Sequence, residues 1–164
     1  MGGPALRRAA RQFHMAFDAP SLKGRALRLL AQREHSRTEL ERKLARYEEE
    51  PGTLAQALDE LAARDFISET RVVQSVLHQR AGRLGALRLK QELQQKGIAA
   101  EAIAGAMDQL KGTELQRARE VWRRRFAAPP SDAAERARQT RFLLARGFSG
   151  DVVRRVLNLQ DDDV

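Results

Sequence analysis

Basic side chains are the residues of this chain whose type and spacing suit chemistry, and that chemistry is the binding of anions. Arg25 and Arg28 share the polar side of a helical stretch. Arg80, Arg83, Arg88 and Lys90 flank the segment Gly82-Arg83-Leu84-Gly85. Arg123, Arg124 and Arg125 lie between Trp122 and Phe126, and Arg138, Arg141 and Arg146 follow. A guanidinium is a planar fork of donors that pairs with phosphate or carboxylate oxygens two at a time. Thirty Lys and Arg stand against 22 Asp and Glu, a formal net charge of +8. That balance suggests nucleic acid or an acidic protein surface as partner. GC-rich codon usage can account for the preference for Arg over Lys, but not for the net excess. For any single arginine the competing reading is a solvated helix face laced by i,i+4 pairs, such as Glu39 with Lys43 and Glu92 with Lys96.

Other constellations are weak. His14, His35 and His78 are far apart in sequence, fit no His-Glu-x-x-His pattern, and read as scattered surface histidines. No Gly-x-x-x-x-Gly-Lys-Ser/Thr loop is present, and the Gly82 to Gly85 segment follows no strand, so it reads as a turn between helices. Glu48-Glu49-Glu50 precedes Pro51 and reads as a solvated loop. Trp122 and Phe126 have rings able to stack on bases, but their helical spacing favours core packing. The expectation is a binding protein: no catalytic residues, no metal, no cofactor, no small-molecule substrate.

The elements that must position the basic groups are helices. Ala, Leu, Arg, Glu and Gln dominate the 164 residues, and Val, Ile and Thr together number 16, too few for a sheet protein. No cysteine is present, which excludes disulfides and fits a reducing, cytoplasmic setting. No run is long and apolar enough for a membrane span, and Met1 to Pro20 lacks the apolar stretch of a signal peptide. Apolar positions repeat. Leu40, Leu44, Leu54, Leu58 and Leu61 recur 49 residues later as Leu89, Leu93, Ile103, Met107 and Leu110. A further step of 50 takes Leu93, Gly97, Ile98 and Ile103 to Leu143, Gly147, Phe148 and Val153.

This period predicts an all-α fold, an elongated curved array of three tandem three-helix repeats with about nine helices. Residues 21–67, 68–112 and 113–158 form the repeats. A flexible basic segment, 1–20, precedes them, with a helical turn around Leu6 to Phe17, and an acidic tail, 159–164, follows. Ser36-Arg37-Thr38-Glu39 and Thr113-Glu114-Leu115-Gln116 read as capping boxes. Ser68 reads as an N-cap, and Pro129-Pro130-Ser131 as the end of one helix and the cap of the next. Gly97 and Gly147 suit left-handed C-caps. The first repeat has Glu48 at the corresponding place and Pro51-Gly52 just beyond, so it turns differently. Phe66-Ile67 closes it. If the repeats stack in register, the basic groups align as one surface.

Several motifs carry a resemblance. Ala26-Leu27-x-x-Leu30-x-x-Arg33-Glu34-x-Ser36-x-x-Glu39-Leu40-x-x-Lys43-Leu44 opens it, and Phe66-Ile67-Ser68-Glu69-x-Arg71 marks the first junction. The most specific stretch is Arg80-x-Gly82-x-x-Gly85-x-x-Arg88-Leu89 followed by Glu92-Leu93-x-x-Lys96-Gly97-Ile98. Arg141-Phe142-Leu143-x-x-Arg146-Gly147-Phe148-Ser149 completes it. From Ser21 to Leu157 the chain resembles the RecX family of bacterial recombination regulators. It departs mildly: Ser68-Glu69 stands for Asp-Asp, Val72-Val73 for Phe-Ala, and Ala86 for a common Pro.

The resemblance implies a protein that binds the RecA recombinase and its filament on single-stranded DNA. It implies inhibition of ATP hydrolysis, strand exchange and coprotease activity, restraining the SOS response, homologous recombination and DNA repair. The candidate contacts to RecA or DNA are Arg25, Arg28, Arg80, Arg83, Arg88, Lys90, Arg123, Arg124, Arg141 and Arg146. The alternative is a helical-repeat DNA-binding protein acting on nucleic acid directly, or one with weak direct DNA binding beside its protein partner.

Overall fold

The computed structural model describes residues 19–159. The expected basic segment and its turn at Leu6 to Phe17 lie outside the described residues, apart from Ala19 and Pro20. Asp161 to Asp163 of the acidic tail lie outside them as well. Nine α-helices and one short 3-10 turn make up the described part, with no strand among the described residues. The chain divides after Ser68 into two compact units.

In the first unit, Ser21 caps α1 (Leu22–Gln32), its hydroxyl accepting from the Gly24 amide at 3.0 Å. The Ser36 capping box forms as its spacing predicts and starts α2 (Arg37–Leu44). Ser36 Oγ accepts from Glu39 N at 3.1 Å, and Glu39 Oε1 accepts from Ser36 N at 3.2 Å. Two donors that the helix cannot satisfy internally are thereby paired. A 3-10 turn (Ala45–Tyr47) then leads to Gly52, whose φ of 89° only glycine adopts freely, and to α3 (Thr53–Ala63). The three helices pack pairwise on Ala26, Leu40, Leu44, Leu54, Leu58 and Leu61.

Three expectations for this unit are corrected. Phe66 does not close the core: it is 40% exposed, and Ile67 alone packs inward. Asp65 takes a left-handed φ of 63°, so Phe66 N can reach Leu61 O at 2.9 Å, and that chain reversal turns the Phe66 ring outward. Glu48 is more than loop, because its carboxylate accepts from Leu54 N at 2.8 Å and caps α3. His35 is no surface histidine. It is 1% exposed, because the extended link Arg33 to Ser36 must cross the packed ends of α1 and α2.

The second unit holds α4 (Glu69–Arg80), α5 (Ala86–Gln95) and α6 (Ala100–Lys111), then α7 (Glu114–Arg125), α8 (Ala133–Ala145) and α9 (Gly150–Leu159). Val72, Val73, Val76, Leu77, Leu89, Leu93 and Ile103 form one core; Trp122, Phe126, Leu143, Phe148, Val153, Val156 and Leu157 form the other. Gly97 and Gly147 end α5 and α8 at φ 72° and 91°. In each case the next amide, of Ile98 or Phe148, bonds back to the carbonyl of Leu93 or Leu143. Glu69, at a departure from the family pattern, reaches the start of α6, its Oε1 accepting from Ala99 N at 2.6 Å.

Two caps differ from expectation. Thr113 makes no capping box. Its backbone is helical (φ −116°, ψ −4°) because α6 and α7 join through a tight turn, so its hydroxyl donates back to Leu110 O. Asp132, not Ser131, caps α8, its carboxylate accepting from Glu135 N at 2.7 Å. The preceding helix stops at Arg125, well before Pro129, because Phe126 turns extended to bury its ring.

The two three-helix sets of this unit meet end to end. The amide of Gly85, the N-cap of α5, donates to Arg146 O at 2.8 Å, that of Ala86 to Glu114 Oε1 at 3.2 Å, and that of Leu87 to Gly147 O at 3.1 Å. Three donors left over at the start of α5 thus meet acceptors at the end of α8 and the start of α7. The helix dipoles of α8 and α5 run head to tail there, which adds attraction. Proline at position 86 would remove one of these donors.

Candidate anion-binding site

Beside this junction lies a cleft of about 250 Å³ lined by Arg83, Val121, Arg124, Arg125, Phe142 and Arg146. Each side chain is placed by an element end. Arg83 sits in the turn between α4 and α5, Arg124 and Arg125 in the last turn of α7, and Phe142 and Arg146 at the end of α8. Phe142 meets Phe126 edge-on at 5.2 Å. The Arg146 and Arg125 guanidiniums lie 5.0 and 5.9 Å from the Phe142 ring centroid. Arg125 and Arg138 each lie 5.4 Å from that of Phe126. A guanidinium stacked on a ring keeps its in-plane N–H groups available, and holding it there lowers the entropy lost when an anion binds. No carboxylate is among the described residues that line the cleft, and Glu120 pairs with Arg124 from the preceding turn of α7 at 3.9 Å. The arrangement suits a phosphate or a carboxylate.

The structure brings three of the ten candidate residues, Arg83, Arg124 and Arg146, into this cleft. Arg124 is also tied down, donating to Gly82 O at 3.3 Å. Arg123 and Arg141 are exposed elsewhere on α7 and α8. Arg80 pairs with Glu92 at 3.6 Å. Arg88 has a packing role: it donates to Ala145 O at 3.3 Å, and its stem fills the space over Gly147. Lys90 lines a more apolar groove with Ile98, Ile103 and Met107. Arg25 and Arg28 belong to the first unit and line a groove of their own, about 510 Å³, with Arg42, Lys43, Arg46 and Tyr47. Trp122 and Phe126 are buried, and the indole donates to Gln139 Oε1 at 2.7 Å, so Trp122 is core.

Sequence reasoning missed Arg117 and the role of His35. Arg117 Nη1 donates to Ala81 O at 2.8 Å and Leu84 O at 2.7 Å, fastening α7 to the turn that carries Arg83. Burial pulls its pKa below the ordinary arginine value. The available signal was its place four residues before Val121 on the inward stripe. His35 donates from Nδ1 to Arg33 O at 3.0 Å, so its Nε2 accepts from Lys43 Nζ at 3.3 Å. Burial, against the opposing pull of that carbonyl, lowers its pKa, and the charges of Arg33 and Lys43 lower it further.

Among the described residues, no cluster of three or more His, Asp or Glu side chains is placed to hold a metal ion, and no helix is long and apolar enough to cross a membrane. Fold and site together define an all-α protein of three tandem three-helix domains bearing arginine-and-aromatic surface sites. Residues 23–61, 68–107 and 113–157 match in turn the first, second and third three-helix domains of RecX. The chain belongs to the RecX family. It is 57% identical over 151 residues to regulatory protein RecX of Leptothrix cholodnii, covering 91% of this chain and 96% of that one. To the RecX of Ralstonia nicotianae it is 48% identical over 141 residues, 86% and 89% of the two chains. The crystal structure of RecX from Lactobacillus salivarius shares the fold with TM-score 0.72 at 19% identity, covering 85% of this chain and 94% of that one. Its relatives carry the name of regulatory proteins, and a RecX regulatory role follows for this chain.

Proposed function

We propose that this protein binds RecA and RecA–single-stranded DNA filaments in the cytoplasm. Bound there, it inhibits the recombinase's ATP hydrolysis, strand exchange and coprotease activity, and so modulates homologous recombination, DNA repair and the SOS response. The observation that carries this reading is the convergence of Arg83, Arg124, Arg125 and Arg146 around Phe142 in one cleft, in a chain of the RecX family. A nucleoprotein filament offers both anions such a cleft takes, phosphates and acidic side chains. Leu87 and Leu144, on the two helices that meet at the junction, are 55% and 46% exposed. Exposed leucines near a cationic site favour a protein surface over bare nucleic acid. Nothing in the reading calls for catalysis by the chain itself.

The test is RecA ATPase on single-stranded DNA with substoichiometric amounts of this protein. Inhibition is expected, and it weakens as salt rises. The pair Arg83→Glu and Arg146→Glu reduces potency at least tenfold with an unchanged melting curve. No inhibition by the unaltered protein, at salt where it still binds DNA, sinks the reading. Arg88→Glu is a poorer probe because that side chain also packs against Gly147.

A further inference from the structure

Of the four arginines in the cleft, Arg83 is held differently from the rest. Arg125 and Arg146 lean on the Phe142 ring, and Arg124 bonds to Gly82 O. The Arg83 guanidinium makes no hydrogen bond or ion pair among the described residues, so the backbone of the turn between α4 and α5 alone places it. Arg83 N and Leu84 N both donate to Arg80 O at 3.0 Å, which closes the turn from within. Arg117 holds it from across, on α7. Its Nη1 donates to Ala81 O at 2.8 Å and to Leu84 O at 2.7 Å, the carbonyls that bracket Gly82 and Arg83. Its Nε donates to Thr113 Oγ1 at 3.2 Å, which fixes the guanidinium from behind. One turn earlier on α7, Glu114 accepts from Ala86 N and holds the far end of the same segment. Stability alone does not call for a guanidinium here. Arg117 Nη2 is buried and has no hydrogen-bond partner among the described residues. An unpaired buried donor costs free energy, and so does the buried charge that carries it. Such a cost is expected where a position serves binding. What the planar fork supplies is geometry: two N–H bonds at a fixed angle hold two carbonyls at a fixed separation.

We propose that Arg117 is a positioning residue: it holds the Ala81 to Leu84 turn in the shape that delivers the Arg83 guanidinium to the cleft, and through Arg83 it sets the strength of partner binding. Without it, the Gly82-Arg83 step is free to take other conformations, and ordering Arg83 becomes a cost of binding. A lysine carries its donors on one ammonium at the end of a flexible stem, so it holds the two carbonyls less rigidly and replaces Arg117 only in part. This inference rests on the cleft being the surface that meets the partner.

The experiment is a double-mutant cycle in the full chain, read as inhibition of RecA ATPase on single-stranded DNA. Arg83→Gln and Arg117→Met are made singly and together, with Arg117→Lys as the conservative variant. Arg83→Gln is expected to raise the half-inhibitory concentration about fivefold, one solvent-weakened charged contact. Arg117→Met comes close to that loss, and Arg117→Lys falls between it and the unaltered protein. The double variant stays within about twofold of Arg83→Gln alone, because the two residues act as one. An arginine with a structural role only lowers potency by the same factor whether or not Arg83 is present. Losses that multiply therefore overturn the proposal while the cleft reading stands, as does full potency of Arg117→Met beside a weakened Arg83→Gln. If Arg83→Gln itself inhibits as well as the unaltered protein, the cleft reading falls and the positioning role with it. Each variant is assayed where circular dichroism shows it folded, and Arg117→Lys completes the same cycle if Arg117→Met does not fold. A second readout needs no recombinase. The backbone heteronuclear NOE of the Arg83 amide is expected to fall in Arg117→Lys while those inside α5 hold, and an unchanged Arg83 value overturns the proposal.

Discussion

The backbones of Gly85 and Gly147 lie against each other with no room for a side chain between them: a Cβ on Gly85 would fall within 3.0 Å of the Gly147 carbonyl group. The contact joins the second and third three-helix sets and sets the Arg83 turn beside the end of α8. Gly85→Ala must push the two apart and strain the bonds from Gly85 N and Leu87 N. A loss of about 2–4 kcal/mol is expected, from overpacking and weakened hydrogen bonds. Urea unfolding followed by the fluorescence of Trp122, the single tryptophan, reads it directly. Gly82→Ala, three residues away, meets nothing within 4 Å, and it should be neutral or stabilising by up to about 1 kcal/mol.

Gly52 and Gly147 share nearly the same positive φ, 89° and 91°, but differ in surroundings. A Cβ at Gly52 meets nothing within 4 Å, whereas one at Gly147 collides with the backbone of Arg88. Gly52→Ala should cost only the conformational strain, about 1–2 kcal/mol. Gly147→Ala should cost clearly more. Denaturation midpoints of the two variants, compared by circular dichroism, decide it, and equal losses would show that the Arg88 contact yields freely.

The cap of α8 gives a clean contrast between neighbours. Asp132→Ala removes the acceptor for Glu135 N and should destabilise by about 1 kcal/mol. Ser131→Ala removes no cap and should leave Trp122-monitored unfolding unchanged. The reverse order would restore Ser131 as the capping residue.

Arg117 is expected to behave as a structural cation. Arg117→Ala leaves the carbonyls of Ala81 and Leu84 without their donor, at a cost of about 2–3 kcal/mol. Arg123→Ala, on the exposed side of the same helix, should leave the unfolding midpoint in place.

His35 makes the first unit sensitive to acid. Its folded pKa lies below the ordinary value of 6.5, so below that pH the unfolded chain binds more protons and stability falls. The stabilisation from keeping the ring neutral is fully present above about pH 6.5 and is lost as pH falls toward the depressed native value. Following the His35 ring signal by NMR should give a midpoint below 6.5, and Lys43→Met should raise it. In His35→Gln the loss of stability over that window should flatten, as read from the Leu40 and Leu58 methyl signals in denaturant. A His35 midpoint at or above 6.5 contradicts this account.

Period and punctuation in the sequence were enough for the helices. The 49- and 50-residue steps lead from Leu44 to Leu93 and then to Leu143, all three buried, because an apolar stripe at helical spacing has one low-energy place to go. Gly97 and Gly147 were legible as left-handed caps, and Ser36 as a capping box, because such motifs are local: the partners lie within four or five residues. The same locality misled at Thr113, whose pattern is right but whose backbone is set by the tight turn from α6. It misled again at Ser131, where the adjacent Asp132 takes the cap.

What the sequence by itself determined is an all-α chain of three repeats, an excess of positive charge, and the family motifs that contain Gly85, Arg88, Arg146 and Gly147. Tertiary structure alone decided which cations act together. Arg83, Arg124 and Arg146 converge from three element ends up to 63 positions apart in the chain, while Arg88 and Arg117 are drawn into carbonyl contacts and His35 is buried. Periodicity fixes the face of a helix on which a side chain lies. It says nothing of which helix end lies opposite, and the cleft is made of helix ends.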